Sequence, residues 1–422
     1  MDLSLGASPC GCLARRAHAP SDWGLAPVRT ERPADARAAA EVLRAAALAG
    51  EPAWITGHST RLAACPPVPR AALVVATSAI TGVVAYEPAD QTLTVRAGTP
   101  LEEVHALLAE DGLELPGGHF GLAEGTVGGM VATDLADARR GKGGALRDRL
   151  LGMTVSGTDG TVTRSGGRVV KNVAGYDLMR LHAGAHGALG LVAEVTLRLA
   201  PRPEAHAPFE RGFDDVAAAA DAAWRIASEA PALGLVAFMS SPGAAARLAW
   251  VHEGDREWVD DGMAWSAARF GPPRAEDGPD HSAPVEARLR LKALEHVCPE
   301  RRNVLVRGSL LPSRLPELAR RLAGLALPLL GGHGTTGAVF ARVDLAAADG
   351  RATLGAVVRA IEDHGGAWKV SGAWTPADGP AGEADAPWGG IVTPWPLYAR
   401  LKDAFDPARV LGPAVYGAGV AA

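Results

Sequence analysis

Aromatic side chains are scarce in this sequence, 5% of 422 residues, and cysteine is scarcer: Cys10, Cys12, Cys65 and Cys298 are the four it has. Four dispersed cysteines cannot build the framework of a small secreted fold. The pair Cys10 and Cys12 has no second pair with which to complete a zinc or iron-sulfur site, so no metal is expected. Net charge is only −5, and no run of Lys and Arg is interleaved with aromatics, so the electrostatic footprint of nucleic-acid binding is missing. No stretch reaches the roughly 18 uncharged apolar residues of a membrane span, and the N-terminal residues lack a signal peptide's apolar core. The expectation is a soluble protein of the reducing cytoplasm that meets a membrane, if at all, through a partner.

Against these absences stand 48% hydrophobic and 21% charged residues, a globular balance. The length exceeds the single-core size of about 250 to 300 residues, which predicts two domains. Glycine is abundant, 51 of 422 residues, and clustered, as where backbone lies close to a ligand. The pattern predicts an alanine-rich helix ending at Gly50, a strand "AWIT", a turn "GHST", a strand "LVVAT", and two strands around a turn at Pro88 to Asp90. Thr99, Pro100, Glu102 and Glu103 then open a helix closed by Gly112. Two strands flank the hairpin signal Asp159-Gly160, and "LGLVAEVTLRL" alternates as a strand with one face buried. After Pro203 strands and helices cycle twice: "LGLVAFM" and "RLAWVHE", then "NVLVRGSLL", "GAVFARVDL" and "AWKVSGAW", with helices between. They are expected to share one antiparallel sheet. Surface loops are expected at Gly271 to Pro284 and over "TPADGPAGEADAPWGG", with a last helix near "PLYARLKDAF".

Two glycine-rich segments carry the chemistry. "PGGHFGLAEGTVGGMVATDL" leads into a helical run beginning near Thr126, whose free N–H groups suit a phosphate, and Gly128 and Gly129 let a ligand approach backbone. Tight turns and close helix packing explain the same glycines. "GGRVVKNVAGYDLMRLHAGAHGALG" sets Lys171, Asn172, Tyr176 and Asp177 among apolar residues, a polar site in which Asp177 either orients a ring system or caps the helix "LMRLHAG". Arg139, Arg140 and Lys142 either meet an anion or form a solvated charge run, the second being the plainer reading.

"TVGGMVATDL", "RRGKGGALRDRLLGM", "GGRVVKNVAGYDLMRL", "GALGLVAEVTLRLAPRP" and the terminal "RLKDAFDPARVLGP" resemble the FAD-linked oxidases of the PCMH or vanillyl-alcohol-oxidase type. Within them the sequence is similar to the FAD-binding E-subunit family of bacterial glycolate oxidases. The resemblance is dense from Gly144 to Pro203 and reaches residues 204–390 only in outline. It implies an α+β fold: a two-part PCMH-type FAD-binding domain at 20–203 after a tail at 1–19, an α/β cap domain with an antiparallel sheet and helices at 204–390, and a C-terminal segment, 391–422, returning to the FAD domain. It also implies FAD held by Thr56, Gly57, His58, Ser59 and Thr60, by Gly125, Thr126, Gly128, Gly129 and Ala132, by Asp148, by Lys171, Asn172, Gly175, Tyr176 and Asp177, and by Gly187, Gly190 and Val192. His58 stands in a "GHS" setting like that in which some relatives link FAD covalently. "GAHGALG" puts Ala185, His186 and Ala188 where many catalytic relatives have Ser, Glu and Thr, which is expected to weaken FAD binding.

The implied reaction is oxidation of a 2-hydroxy acid, glycolate to glyoxylate, with electrons passed to a catalytic FAD subunit and an iron-sulfur subunit. Such chemistry needs a base for the hydroxyl proton and a cation for the carboxylate. His333, His119 and His296 are the candidates for the base. His333 is read as a histidine of a surface glycine turn, so no catalytic residue is assigned. A stand-alone FAD dehydrogenase of the D-lactate type and an FAD-free structural subunit are the alternatives.

Overall fold

The structure is a computed structural model that describes residues 29–60, 73–115, 125–134, 139–167, 176–272, 303–372, 388–389 and 395–412. The four cysteines, His119, His296, Lys171, Asn172, Gly175, the tail at 1–19 and most of the two expected surface loops lie outside these residues. The chain runs through β1 (Arg29–Glu31), α1 (Ala36–Ala49), β2 (Ala53–Thr56), β3 (Leu73–Ala76), β4 (Val83–Glu87), β5 (Thr92–Arg96), α2 (Leu101–Glu110) and β6 (Leu113–Glu114). Then come α3 (Val127–Thr133), α4 (Arg140–Gly143), β7 (Leu150–Ser156), β8 (Val162–Gly166), α5 (Met179–His182), β9 (Leu191–Arg198) and β10 (Ala200–Pro201).

Local chemistry explains several boundaries. Asp35 caps α1 by accepting the N–H of Ala38 at 2.8 Å, and Gly50 ends it in the left-handed conformation at φ 60°. Asp159 accepts both the N–H and the hydroxyl of Thr161, closing the β7–β8 hairpin. β1, β3 and β2 form a small parallel sheet, and β4, β5, β9, β7 and β8 an antiparallel one. The strand β9 lies at the centre of the second sheet and is buried on both faces, not one. Val195 and Leu197 enter the core around α2 and α3, while Leu191 and Ala193 enter the core under α1. The cause is tertiary: α1 and the parallel sheet cover what would otherwise be the solvent side.

The remainder builds one sheet. β11 (Ala205–Phe213), α6 (Val216–Glu229), β12 (Leu233–Ser240), β13 (Ala246–Gly254), α7 (Arg256–Phe270), β14 (Asn303–Ser309), α8 (Leu315–Leu322), β15 (Leu329–His333), β16 (Ala338–Asp344), α9 (Gly350–Asp363), β17 (Ala367–Gly372) and β18 (Trp388–Gly389) follow, with α10 (Trp395–Phe405) after them. All eight strands are antiparallel, in the order β11-β13-β12-β15-β16-β14-β17-β18. The single antiparallel sheet expected from the pattern is present, with β11, β15 and β18 as additional strands, the last at the end of the segment expected as a surface loop. One face packs on α6, α8 and α9 through Val304, Val306, Val339, Ala341, Leu318 and Val357. There Trp250 Nε1 donates to Ser266 Oγ at 2.8 Å, and His252 Nε2 meets the same oxygen at 2.7 Å. Because Nδ1 of His252 faces the carbonyl of Pro231, it carries the proton and Nε2 accepts from Ser266. No helix among the described residues is long and apolar enough to cross a membrane.

The opposite face of the sheet meets the first 200 residues, and the segment "ARRGKGG" makes the joint. Arg139, 6% exposed, reaches Glu114 Oε1 at 3.2 Å and Glu253 Oε1 at 2.8 Å. Lys142 Nζ donates to the Glu253 carbonyl at 2.7 Å, and Arg140 pairs with Asp134. Gly141 rests against Thr335 so closely that a Cβ there would overlap the threonine side chain. The solvated charge run read from the sequence is therefore half right at most: Arg139 is buried, because acids from two parts of the chain converge on it. Burial opposes ionisation of Glu253, but His206, Arg139 and Lys142 outweigh it and hold the pKa down to about 2. Burial pushes Glu114 the other way.

A carboxylate depressed in the folded state contributes stability above its unfolded value, lost as pH falls through the folded one. Glu253→Gln is expected to destabilise the protein by about 3 kcal/mol at pH 7, as for other buried pairs broken on one side. The gap between variant and wild type in denaturant titrations should narrow as pH falls from the ordinary carboxylate range toward about 2, where Glu253 itself titrates.

Candidate functional site

Beyond β2 the chain turns through Gly57, His58, Ser59 and Thr60, and this loop forms one wall of an open cleft. The other wall is α3, which contributes Thr126, Gly129, Ala132 and Thr133, and His186 closes one end. Positions 126, 129 and 133 fall three and four apart, so they share one face of the helix. Gly57 is required by contact: a Cβ there would overlap the side chain of Thr126. Ser59 adopts the left-handed conformation at φ 60°, which bends the loop around the cleft. Among the described residues no hydrogen bond is seen from the N–H groups of Gly57, Ser59 and Thr60, and N–H groups in a concave loop can receive phosphate oxygens.

The start of α3 is different from the sequence expectation. Val127 N–H donates to Thr99 O at 3.0 Å, Gly128 N–H to Ala97 O at 2.7 Å, and Gly129 N–H to the Thr126 hydroxyl at 3.2 Å. The first turn thus has its donors taken by protein, and the free N–H groups expected there are absent. Gly128 serves close packing, for its added Cβ would lie 2.8 Å from that of Ala97. Gly129 instead faces the cleft.

The remaining expected residues divide. Gly187, at φ 77°, packs its Cα toward Ile55, and Gly190, at φ 144°, fits against Val155 and Ser156. They shape the turn that carries His186. Val192 is a core side chain, and Gly125 O accepts the N–H of Leu101. Tyr176 is 91% exposed, while Asp177 pairs with Arg180 at 2.8 Å. Arg180 also approaches Asp148, so Tyr176, Asp177 and Asp148 lie at the surface and outside the described lining of the cleft. Asp177 is not the expected cap either, because α5 starts after Leu178 with no side-chain cap.

A second group faces the first from the sheet. Arg307 lies opposite Lys369 on β17 and Phe340 on β16, so the three share a face. Lys369 Nζ sits 3.0 Å from His186 Nε2. An ammonium only donates, so His186 accepts here and carries its proton on Nδ1. Burial first, then Lys369 and Arg307, push His186 well below its ordinary value. His333 is the last residue of β15, 1% exposed, with its ring 4.9 Å from that of Phe340 and Nδ1 without a hydrogen bond. Burial, then Arg307, lower its pKa to about 3. The surface turn expected for it is corrected: "LLGGH" pairs as a strand despite its glycines. Sequence reading missed Arg307 and Lys369, although a lone cation in an otherwise apolar strand was the available signal.

With this geometry in view, comparison with known proteins is specific. Residues 27–166 match the family model of the FAD binding domain. The glycolate oxidase subunit GlcE of Escherichia coli (strain K12) is 44% identical over 132 residues, 31% of this chain and 37% of that protein. The D-2-hydroxyglutarate dehydrogenase of Xanthomonas citri pv. viticola is 37% identical over 118 residues, 28% of this chain and 25% of that protein. The chain thus spans little more than a third of the first relative and a quarter of the second. A solved structure of alkyldihydroxyacetonephosphate synthase shares the fold with a TM-score of 0.63 at 14% identity, covering 91% of this chain and 75% of that one. The chain carries an FAD binding domain at residues 27–166, and FAD is its cofactor.

Gly57→Val should push the loop off Thr126 while leaving the sheets intact. FAD titrated into the variant, followed by flavin fluorescence, is expected to bind about tenfold more weakly or worse, about 1.4 kcal/mol. The far-UV dichroism should match wild type.

Proposed function

We propose that this chain is the FAD-binding subunit of a complex that oxidises a small 2-hydroxy acid, glycolate to glyoxylate, and passes the electrons to a catalytic FAD subunit and an iron-sulfur subunit. The observation that carries the reading is the meeting of two surfaces at His186 and Lys369. One bears the loop and helix wall suited to a dinucleotide, the other a row of cations suited to a carboxylate. The likeness to a glycolate oxidase subunit and to a D-2-hydroxy acid dehydrogenase supports it. In this reading the domains are 20–203 and 204–390, with 391–422 returning to the first. The pyrophosphate is held by Gly57, Ser59 and Thr60, with Gly129, Ala132 and Thr133 opposite, and Lys171, Asn172 and Gly175 belong to the flavin side. Bound FAD supplies acceptance of the two electrons and the hydride. Arg307 and Lys369 orient the acid through its carboxylate. His333 is enclosed against Phe340 and is given no role as base.

A stand-alone D-2-hydroxy acid dehydrogenase is the second reading, supported by the same two cations and by the likeness to a D-2-hydroxyglutarate dehydrogenase. Visible absorbance of the purified chain is expected to show flavin; a colourless chain that takes up no FAD sinks both readings in favour of a structural subunit. Glycolate should reduce a dye only when co-purified partners are present, and the Arg307→Leu and Lys369→Leu variants should lose most of that activity. Dye reduction by D-lactate or glycolate with this chain alone supports the second reading. Acid precipitation should leave FAD in solution, with His58 only a hydrogen-bonding residue; flavin retained in the pellet, and lost in His58→Ala, assigns a covalent link.

A further inference from the structure

The end of α10 and the segment after it return to the first 200 residues at a place the cofactor reading does not use. Lys402 and Asp406 are buried together, with 5% and 0% of their side chains exposed, and Nζ lies 2.6 Å from Oδ2. Nζ also donates to Ala188 O at 2.8 Å and to Leu411 O at 2.6 Å. Its three protons therefore have three acceptors. Asp406 in turn accepts the N–H groups of Val410 and Leu411 at 3.3 and 2.8 Å.

The two backbone acceptors lead to different parts of the cofactor cradle. Ala188 lies inside the Gly187 to Gly190 turn, next to His186. Leu411 bridges β2 in parallel, with Ala53 N–H donating to Val410 O at 2.8 Å and Gly412 N–H to Ala53 O at 3.3 Å. β2 runs directly into the loop of Gly57, Ser59 and Thr60. Val410 and Leu411 are core residues together with Ala53, Val75 and Leu191. One ammonium thus ties the loop wall of the cleft, through β2, to the turn that closes its end.

We propose that Lys402 is a positioning residue for FAD: paired with Asp406, it fixes the Gly187–Gly190 turn against the strand that leads into the phosphate loop. The idea rests on the FAD reading given above, and it assigns the C-terminal segment a share in the cofactor site without contact with the cofactor. Removing only the ammonium would strand a buried carboxylate and confuse positioning with stability. The double variant Lys402→Met with Asp406→Asn removes both charges and keeps an oxygen for the backbone N–H groups.

In the full chain, that variant is expected to bind FAD about tenfold more weakly than wild type. Hydrogen exchange in the FAD-free protein should accelerate at residues 56–60 and 187–190, and not in β14 or β16. A comparison variant, Ser266→Ala, removes a buried hydrogen bond on the far face of the large sheet. It should lower the melting temperature while leaving FAD affinity and exchange at 56–60 and 187–190 unchanged. Wild-type exchange at both segments in the double variant overturns the clasp whatever the flavin does. So does a loss of FAD affinity that Ser266→Ala reproduces in proportion to its loss of stability. A wild-type chain that takes up no FAD overturns the cofactor reading instead, and exchange then decides the clasp by itself.

Discussion

A guanidinium cannot shed its proton to escape burial, so Arg139 can lie within this protein only where acids surround it. They come from two directions, Glu114 on β6 and Glu253 on β13, and the second belongs to the large sheet. The joint between the two parts of the molecule is therefore a charge that neither part could bury alone. Lys142 adds a bond to the Glu253 carbonyl, and Gly141 lets α4 settle against Thr335 without a side chain between them. Parting the large sheet from the first 200 residues would leave Arg139 with Glu114 and strip the buried Glu253 of Arg139 and Lys142, a cost of several kcal/mol.

The cleft shows two ways in which backbone can meet a phosphate, and here the less familiar of them is open. The N–H groups at the start of α3 go to Thr99, Ala97 and Thr126, so the helix is anchored to β5 and its following turn rather than offered to a ligand. The loop after β2 has the complementary property. It meets α3 closely where Gly57 approaches Thr126, and Gly57, His58, Ser59 and Thr60 line the cleft. Thr126 consequently serves both walls: its hydroxyl caps the helix, and its bulk sets how near the loop can come. A site of this kind depends on the spacing of two backbones, which is why it is sensitive to anything that moves β2.

Much of the fold was legible because its signals are local. Gly50, the Pro88 to Asp90 turn and Asp159-Gly160 fix element ends through bonds to their own neighbours, and these ends fall where the sequence places them. The readings that failed depend on distant partners. Arg139 looks solvated until Glu114 and Glu253 are brought to it from 25 and 114 residues away. "LLGGH" looks like a turn until β12 and β16 supply ladders on both sides, and the N–H groups of α3 look free until Ala97 and Thr99 take them. The cleft was half legible for the same reason. "TVGGMVAT" was found from its glycines and "GHST" through the family resemblance, whereas Arg307 and Lys369 acquire a meaning only when the pairing of β14 with β17 sets them on one face.

That shared face has an electrostatic consequence for the histidines beside it. Burial is the first cause that keeps His186 and His333 neutral, and Arg307 depresses both, with Lys369 added at His186. Cations held near neutral imidazoles make the region attractive to an anion, and an anion placed among them would offset the very charges that depress the histidines. Proton affinity at His186 would therefore rise on binding of a carboxylate. The same bond that orients Lys369 also limits this response, for His186 Nε2 already accepts from the ammonium and can take a proton only if that bond is given up. An anion that drew Lys369 toward itself would satisfy both conditions together, releasing the imidazole nitrogen as it compensates the charge. Lys369 thus links the face it shares with Arg307 and Phe340 to the turn that carries His186, which lines the cleft.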